Sequence, residues 1–208
     1  MDEANARDPN TEEIAGLARP RELLYAERLT EWLLKLDPAA SELLRLAARG
    51  QHICRWEIPR NRYPLDRAGY LKWRSELKKF HAEKSAAILR ECGYPECSIR
   101  RVQELNLKSK FPHDPETQVL EDALCLVFLQ YQFGDLAART ASGKMVSALQ
   151  KTWTKMSAGA RVAALALTYT EMEQRLLASA LNSGTSAGGS NSATGSAPLG
   201  TNLPPPPT

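Results

Sequence analysis

The chain has few of the features that mark secreted, membrane-spanning or zinc-binding proteins. Four cysteines are present, and no two of them have the two-residue spacing of a zinc knuckle or a redox motif. The longest apolar runs, residues 125–129 and 163–167, are far too short to span a bilayer. The acidic N-terminus has no apolar segment of the kind found in secretory signals. We therefore expect a cytoplasmic protein with reduced cysteines and no membrane partner.

Sustained alternation of apolar and polar residues, the pattern of a strand, is also missing. Apolar residues instead recur at helical spacing, and the pairs Asp37-Pro38 and Asp114-Pro115 are typical of helix starts. The sequence therefore predicts an all-α fold, with a single helical domain of about seven helices and essentially no sheet.

The predicted organisation has three parts. Residues 1–18 form a loose lead-in with one weak helical stretch at 11–18, and residues 19–182 form the helical domain. Residues 183–208 are expected to be a disordered tail, because this segment is rich in Ser, Gly and Pro and carries no charge.

Three local predictions concern the helices. The second helix is expected to continue through Gly50 to Trp56. Pro59 and Pro64 then bracket a loop that no helix can cross unbroken. A long third helix is expected to end at Gly93, and the last helix is expected to cover residues 157–181.

Positive charge is concentrated in one part of the chain. The net charge is only +3, but residues 52–84 contain nine Lys or Arg against four Asp or Glu. This segment either faces an anionic partner or is a solvated helix face. For the first alternative, the candidate substrate-binding cations are Arg55, Arg60, Arg62, Arg74 and Lys78.

The candidate catalytic residues are two histidines and one carboxylate. Asp122 is placed on a mostly apolar helical face, where an unpaired charge would be costly, so it needs a partner. His52 and His81 are candidates, and the three residues together suit a divalent metal (Mn, Fe, Zn or Ni) or a general acid and base pair. The alternative is an Asp paired to an arginine, with each histidine in an ordinary hydrogen bond.

The order of these residues, with His on one helix, His on the next and Asp on a later one, resembles that of the HD-domain phosphohydrolases. The resemblance implies an HD-like helical arrangement in which the three residues hold a metal and activate water against a phosphoester. It differs at one point, because that superfamily has an adjacent His-Asp pair and here Ala82 follows His81. Glu83 lies about 200° around the helix from His81 and points away.

A closer resemblance covers residues 20–178. The stretches R-G-Q-H, R-W-E-I-P-R, R-A-G-Y-L-K-W-R, F-H-A-E, L-E-D-A-L-C-L-V-F-L and K-T-W-T-K-M-S are similar to the running pattern of the domain-of-unknown-function 4202 family. That family implies no established activity, and some of its members carry an automatic label of glutamyl-tRNA synthetase.

The synthetase label can be compared with the sequence. Lys155-Met156-Ser157 resembles half of the K-M-S-K-S signature of class I aminoacyl-tRNA synthetases. In those enzymes the signature binds ATP on a doubly wound fold with parallel strands and glycine-rich turns, and this sequence shows neither. Ser157 is interpreted as a helix N-cap instead.

Three functional hypotheses remain at this point. The first is a metal-dependent, phosphohydrolase-like enzyme acting on a phosphorylated small molecule or nucleotide. The second is a non-catalytic module that binds RNA or tRNA through the basic, aromatic-rich segment. The third is a structural helical adaptor in which both histidines are satisfied internally.

Overall fold

The computed structural model describes residues 1–182, so the predicted disordered tail lies outside the described residues. The described part of the chain is mostly helical, as the sequence predicted, with ten helices and one two-stranded sheet. In chain order the elements are α1 (Asp2–Asn5), β1 (Thr11–Ile14), β2 (Leu17–Pro20), α2 (Arg21–Leu36), α3 (Glu42–Gly50), α4 (Arg67–Glu91), α5 (Glu96–Leu107), α6 (Pro115–Tyr131), α7 (Phe133–Ala138), α8 (Ser142–Lys155), α9 (Ala158–Leu165) and α10 (Glu171–Asn182). None of these described helices is long and apolar enough to cross a membrane.

The helical stretch expected at residues 11–18 is wrong, because these residues belong to an antiparallel hairpin. Strand β1 pairs with β2 in a register that sets Ile14 opposite Leu17. Ala15 and Gly16 both have positive φ, 52° and 79°, which matches the tight turns that suit hairpins. A two-residue turn closes a short hairpin even though neither strand has a long alternating pattern.

The N-terminal residues pack on the helices rather than forming a loose lead-in. Asp8 is buried, and its Oδ2 accepts a hydrogen bond from the backbone N–H of Glu22 at 3.0 Å. Asn5 is also buried and donates to the carbonyl of Arg49 at 3.1 Å. Asp8 therefore caps the first turn of α2 from a distance of 14 residues along the chain.

Helix α3 ends at Gly50, six residues earlier than expected. Close packing explains why a glycine stands there, since a Cβ would lie 2.3 Å from Ser85 Oγ and 3.1 Å from Asn106 Nδ2. Asn106 in turn accepts a hydrogen bond from Gln51 at 2.8 Å, which satisfies the polar groups buried beside α3. The chain then turns through Cys54, at φ 52°, into a short 3₁₀ turn.

The other local predictions agree in part. Helix α4 is capped by Asp66 and is followed by Gly93 at φ +80°, as the sequence predicted. The last predicted helix is instead divided into α9 and α10. The break is stabilised by Glu173, whose carboxylate accepts hydrogen bonds from the backbone N–H and hydroxyl of Thr170 at 2.7 and 2.8 Å.

Two compact units make up the described chain, Met1–Ala123 and a second that starts at Leu124. In the first unit, α2, α3, α4 and α5 pack around fully buried aliphatic side chains, namely Leu29, Leu33, Leu44, Ile53, Leu89, Ile99 and Leu105. In the second, α8 packs against α10, with Met145 and Leu149 buried. The prediction of one helical domain over residues 19–182 stays a prediction.

Candidate functional site

A cluster of polar and aromatic side chains lies inside the first compact unit. Helix α2 contributes Glu22 and Tyr25, which are three residues apart and therefore on one face. The turn after α3 contributes His52 and Arg55, and the long helix α4 contributes the rest. We name the cluster the His52 site; its members are Glu22, Tyr25, His52, Arg55, Trp73, Arg74 and His81.

His52 is held on both ring nitrogens and on one ring face. Its Nδ1 donates to Glu22 Oε2 at 3.2 Å, and its Nε2 accepts from Arg55 Nη1 at 3.2 Å. The Tyr25 ring stacks on the imidazole with centroids 3.9 Å apart and an interplanar angle of 11°. These contacts fix a neutral imidazole with the proton on Nδ1. About a quarter of the side chain, 24%, is exposed, so solvent reaches one edge.

Arg55 lies between His52 and an aromatic ring. Its guanidinium carbon is 5.1 Å from the centroid of the Trp73 ring, a cation–π distance. Trp73 is itself fixed, because its indole N–H donates to the Ile58 carbonyl at 2.9 Å. The ring therefore supports one side of the guanidinium and leaves the N–H groups at its edge available for other partners.

His81 lies beside His52, with ring centroids 5.9 Å apart. It is buried, and its Nδ1 donates to the Ile53 carbonyl at 2.9 Å. The backbone contact fixes the tautomer and leaves Nε2 as a hydrogen-bond acceptor. Phe80 packs edge-on against the same ring at a centroid distance of 5.7 Å.

Burial and positive charge keep both imidazoles neutral. Burial lowers the pKa of His52 well below its usual value, and the nearby cations Arg55, Arg74 and Lys108 lower it further. Burial also lowers the pKa of His81 to about 3, with a further contribution from His52. Lys108 forms an ion pair with the buried Glu121.

Burial also disfavours the charged forms of Glu22 and Arg55. Burial raises the pKa of the Glu22 carboxyl, and Arg55, His81 and Arg21 only partly offset this. Burial likewise lowers the pKa of Arg55, although Glu22 acts in the opposite direction. The charged form of Arg55 would therefore be stabilised by an anionic ligand. The charged form of Glu22 would be stabilised by a ligand that donates a hydrogen bond to it.

Several polar atoms of the site have no hydrogen-bond partner within residues 1–182. They are Glu22 Oε1, His81 Nε2, and Nε and Nη2 of Arg55. Buried side-chain atoms without a partner are found elsewhere, at Asn5, Arg49, Arg60 and Thr117. The unpartnered atoms of the His52 site are not in that group, so each keeps some contact with solvent.

The donor set does not suit the divalent metal that the resemblance to HD-domain enzymes implied. A metal would need the lone pair of His52 Nε2, and that atom faces the Arg55 guanidinium. Asp122 is buried and accepts a hydrogen bond from Gln118 at 3.0 Å on its own helix. Within residues 1–182, no group of three or more His, Cys, Asp or Glu side chains could hold a metal ion.

The structure brings together four of the residues that the sequence singled out: His52, His81, Arg55 and Arg74. Arg60 donates to the carbonyls of Tyr63 and Pro64, at 2.9 and 2.6 Å, and its guanidinium carbon lies 5.9 Å from the centroid of the Trp73 ring, so it borders the site. The other two candidate cations are not members of the His52 site. Arg62 donates to the Glu57 carbonyl at 3.2 Å, and Lys78 is exposed on α4.

Sequence reasoning missed Glu22 and Tyr25. A signal for Glu22 was available, because it lies four, seven and eleven residues before Ala26, Leu29 and Leu33, on the buried stripe of α2. A carboxylate on such a stripe needs a partner, as was argued for Asp122. No comparable pattern identifies Lys108, which follows the end of α5 at φ 50°.

The acid stability of the fold is expected to depend on His81. With a folded-state pKa of about 3 and an unfolded value near 6.5, the unfolded chain binds the extra proton, so stability is complete above about pH 6.5 and is lost as the pH falls. His81→Asn keeps a donor for the Ile53 carbonyl but cannot titrate. Between about pH 7 and about pH 5, the free energy of unfolding of the native protein should fall by about 2 kcal/mol more than that of the variant.

Urea unfolding of both proteins across this pH range measures the difference. Protonation of Glu22 acts in the opposite direction in both proteins, because a raised carboxyl pKa favours the folded state as the pH falls. The comparison therefore uses the difference between the two curves. If the free energy of unfolding changed with pH in the same way in both proteins, His81 would not have the role given to it here.

Comparisons with known proteins place the chain in a family but give no function. The model of the family described as Domain of unknown function (DUF4202) matches residues 1–177, which confirms the resemblance found in the sequence and extends it to the N-terminus. No curated protein matches the chain. No solved structure matches it either, so the resemblance to HD-domain phosphohydrolases gains no support.

Proposed function

Because the chain belongs to the DUF4202 family, whose description assigns no activity, we propose from the His52 site alone that the protein binds and hydrolyses a phosphorylated small molecule or nucleotide. The phosphate group binds beside Arg55, and the two histidines and Glu22 surround the reacting atoms.

One observation carries this proposal: the side chain of Arg55 makes a single hydrogen bond within residues 1–182, to His52. A guanidinium has five N–H donors in a fork that matches two phosphate oxygens. The loss of solvent around Arg55 disfavours its charged form, and the positive charge of Arg74 nearby disfavours it further. A bound phosphate would supply the missing hydrogen bonds and the missing negative charge.

Glu22 supplies the group that such a reaction requires. Its Oε1 is unpartnered, and the raised pKa of its carboxyl brings it closer to the working range of a general base at neutral pH. A water molecule donates a proton to Glu22 as its oxygen bonds to phosphorus. The bond from phosphorus to the ester oxygen then breaks, and that oxygen takes the proton from Glu22, giving an alcohol and inorganic phosphate.

His52 acts in this scheme as a positioning residue. Its Nδ1–H holds one carboxylate oxygen of Glu22, which directs the other towards the ligand, and its Nε2 holds one N–H of Arg55. The stack on Tyr25 keeps the imidazole from rotating. The base and the phosphate-binding cation are thereby fixed relative to each other.

The experiment that tests this function is a phosphate-release assay on purified protein with a panel of phosphomonoesters and nucleotides, in the presence of EDTA. We expect release from at least one class of compound, unaffected by the chelator, because the site supplies its positive charge from Arg55 and Arg74. Release that EDTA abolishes would show a metal-dependent reaction at another arrangement of residues. The proposal would be overturned if no member of the panel were bound and none released phosphate.

A further inference from the structure

The hydroxyl of Tyr25 is a polar group of the His52 site to which the proposed function gives no role. Tyr25 lies on α2, three residues after Glu22 and on the same face of the helix. Its hydroxyl makes no hydrogen bond within residues 1–182. It is not among the fully buried atoms without a partner, so it keeps some contact with solvent. A tyrosine whose ring is packed normally bonds through its hydroxyl, and here that partner is missing.

The phenol ring of Tyr25 covers the bridge that joins Glu22 to Arg55. His52 forms this bridge, because its Nδ1 bonds to Glu22 and its Nε2 bonds to Arg55, each at 3.2 Å. The phenol ring is nearly parallel to the imidazole, at an interplanar angle of 11° and a centroid distance of 3.9 Å. The hydroxyl is fixed to this ring, so it lies close to both the proposed base and the proposed phosphate-binding cation.

The hydroxyl keeps its proton at neutral pH. Burial raises the pKa of the Tyr25 phenol, and the negative charge of Glu22 raises it further. Arg55 and Arg74 act in the opposite direction and only partly offset this rise. The side chain is therefore neutral, and its O–H group can donate a hydrogen bond to an anionic ligand.

The donors of the site match the terminal oxygens of one kind of phosphate. Arg55 has unpartnered N–H groups at Nε and Nη2, which form a planar fork that binds two oxygens. Tyr25 supplies a third donor beside this fork. A phosphomonoester has three terminal oxygens, whereas a phosphodiester has two, because its other two oxygens each carry a carbon atom.

We propose that the Tyr25 hydroxyl donates a hydrogen bond to the third terminal oxygen of the bound phosphate, so that the site takes phosphomonoesters and discriminates against phosphodiesters. A diester would present an ester oxygen to this hydroxyl. A neutral ester oxygen is a weaker acceptor than a charged terminal oxygen. The inference rests on the proposed function, because it uses the position of the phosphate beside Arg55.

The test is the binding of two small ligands to the whole protein and to Tyr25→Phe, measured by phosphorus NMR. Methylphosphonate has three terminal oxygens and no ester bond to break, and its monomethyl ester has two terminal oxygens. Phenylalanine keeps the ring that stacks on His52 and removes only the hydroxyl. Loss of a hydrogen bond to a charged oxygen should weaken methylphosphonate binding about 10- to 100-fold.

Binding of the monomethyl ester to Tyr25→Phe should stay within about twofold of its binding to the native protein. The two ligands differ in charge, but this difference is the same for both proteins and cancels when the two losses are compared. Tyr94→Phe is the matched control, because the Tyr94 hydroxyl bonds to Glu42 at 2.6 Å and Glu42 is not a member of the His52 site. This control should bind both ligands with native affinity.

Unchanged methylphosphonate binding in Tyr25→Phe would overturn the inference. An equal loss of both ligands would also overturn it, because that result indicates a general disturbance of the site. So would a native protein that binds the ester as tightly as methylphosphonate. In these three cases a loss of phosphate binding in Arg55→Met would leave the proposed function in place. A native protein that binds neither ligand would overturn both the inference and the phosphate position on which it rests.

Discussion

Replacing Glu22 with glutamine is expected to lower the rate of phosphate release by about 10²- to 10⁴-fold, the range typical for loss of a general base. Glutamine has nearly the same shape, and its carbonyl oxygen can still accept the hydrogen bond from His52 Nδ1. It cannot take a proton from water. The substrate affinity should therefore change little while the turnover number falls.

The same substitution should not destabilise the fold. Burial raises the pKa of Glu22, which means that the ionised carboxylate costs stability at neutral pH. A neutral amide removes this cost, so the melting temperature of Glu22→Gln should equal or exceed that of the native protein. A loss of activity together with higher stability is the signature of a functional rather than a structural residue.

Glu27→Gln is the matched control, because Glu27 lies on the same helix but forms a half-exposed ion pair with Arg19 at 2.9 Å. It should retain native turnover. Steady-state kinetics and thermal melts of the two variants measure both quantities. Native turnover in Glu22→Gln would remove Glu22 from the chemistry.

The helical class could be predicted from the sequence because apolar periodicity and capping residues are local signals. Asp66 caps α4 and Gly93 follows it at positive φ, as expected. The end of α3 is different, since it depends on the close approach of Gly50 to Ser85, 35 positions further along the chain. A contact between residues so far apart in the chain cannot be predicted from the local pattern of apolar and capping residues.

The hairpin illustrates the same limit at the N-terminus. Four residues per strand are too few for alternation to stand out, and the turn depends on Ala15 and Gly16 adopting positive φ together. The residue that caps α2 is even harder to identify from the sequence. It comes from Asp8, whereas the sequence around Pro20 offers no capping side chain next to the helix.

The candidate site could be predicted only in part, and for a physical reason. His52, Arg55 and His81 stand out by residue type, and the structure brings them together. The carboxylate that bonds to His52 is that of Glu22 and not that of Asp122. Helix α2 packs beside α3, and this packing brings Glu22 within reach of His52. Both acids occupy buried positions in helices, so residue type and helical spacing alone do not distinguish them.

Replacing Arg55 with methionine is expected to weaken the binding of a phosphate-bearing ligand by about 100-fold or more. Two charge-assisted hydrogen bonds to phosphate are each worth about 1.5–3 kcal/mol, and methionine provides none. It does keep an unbranched chain of similar length that can pack on the Trp73 ring, 5.1 Å from the native guanidinium. The fold should therefore survive the change, because burial already opposes the native charge at this position.

Two further variants separate the effect of net charge on binding from the effect of the shape of the guanidinium. Arg45→Met removes one positive charge from the exposed face of α3 and should leave the affinity native. Arg55→Lys keeps the charge but not the planar fork, so its affinity should fall about tenfold, between the other two. Isothermal titration with a nucleotide from the phosphate-release panel gives all three values. Equal losses in Arg45→Met and Arg55→Met would show that net charge alone drives binding, whereas the ordered series places the phosphate against the guanidinium.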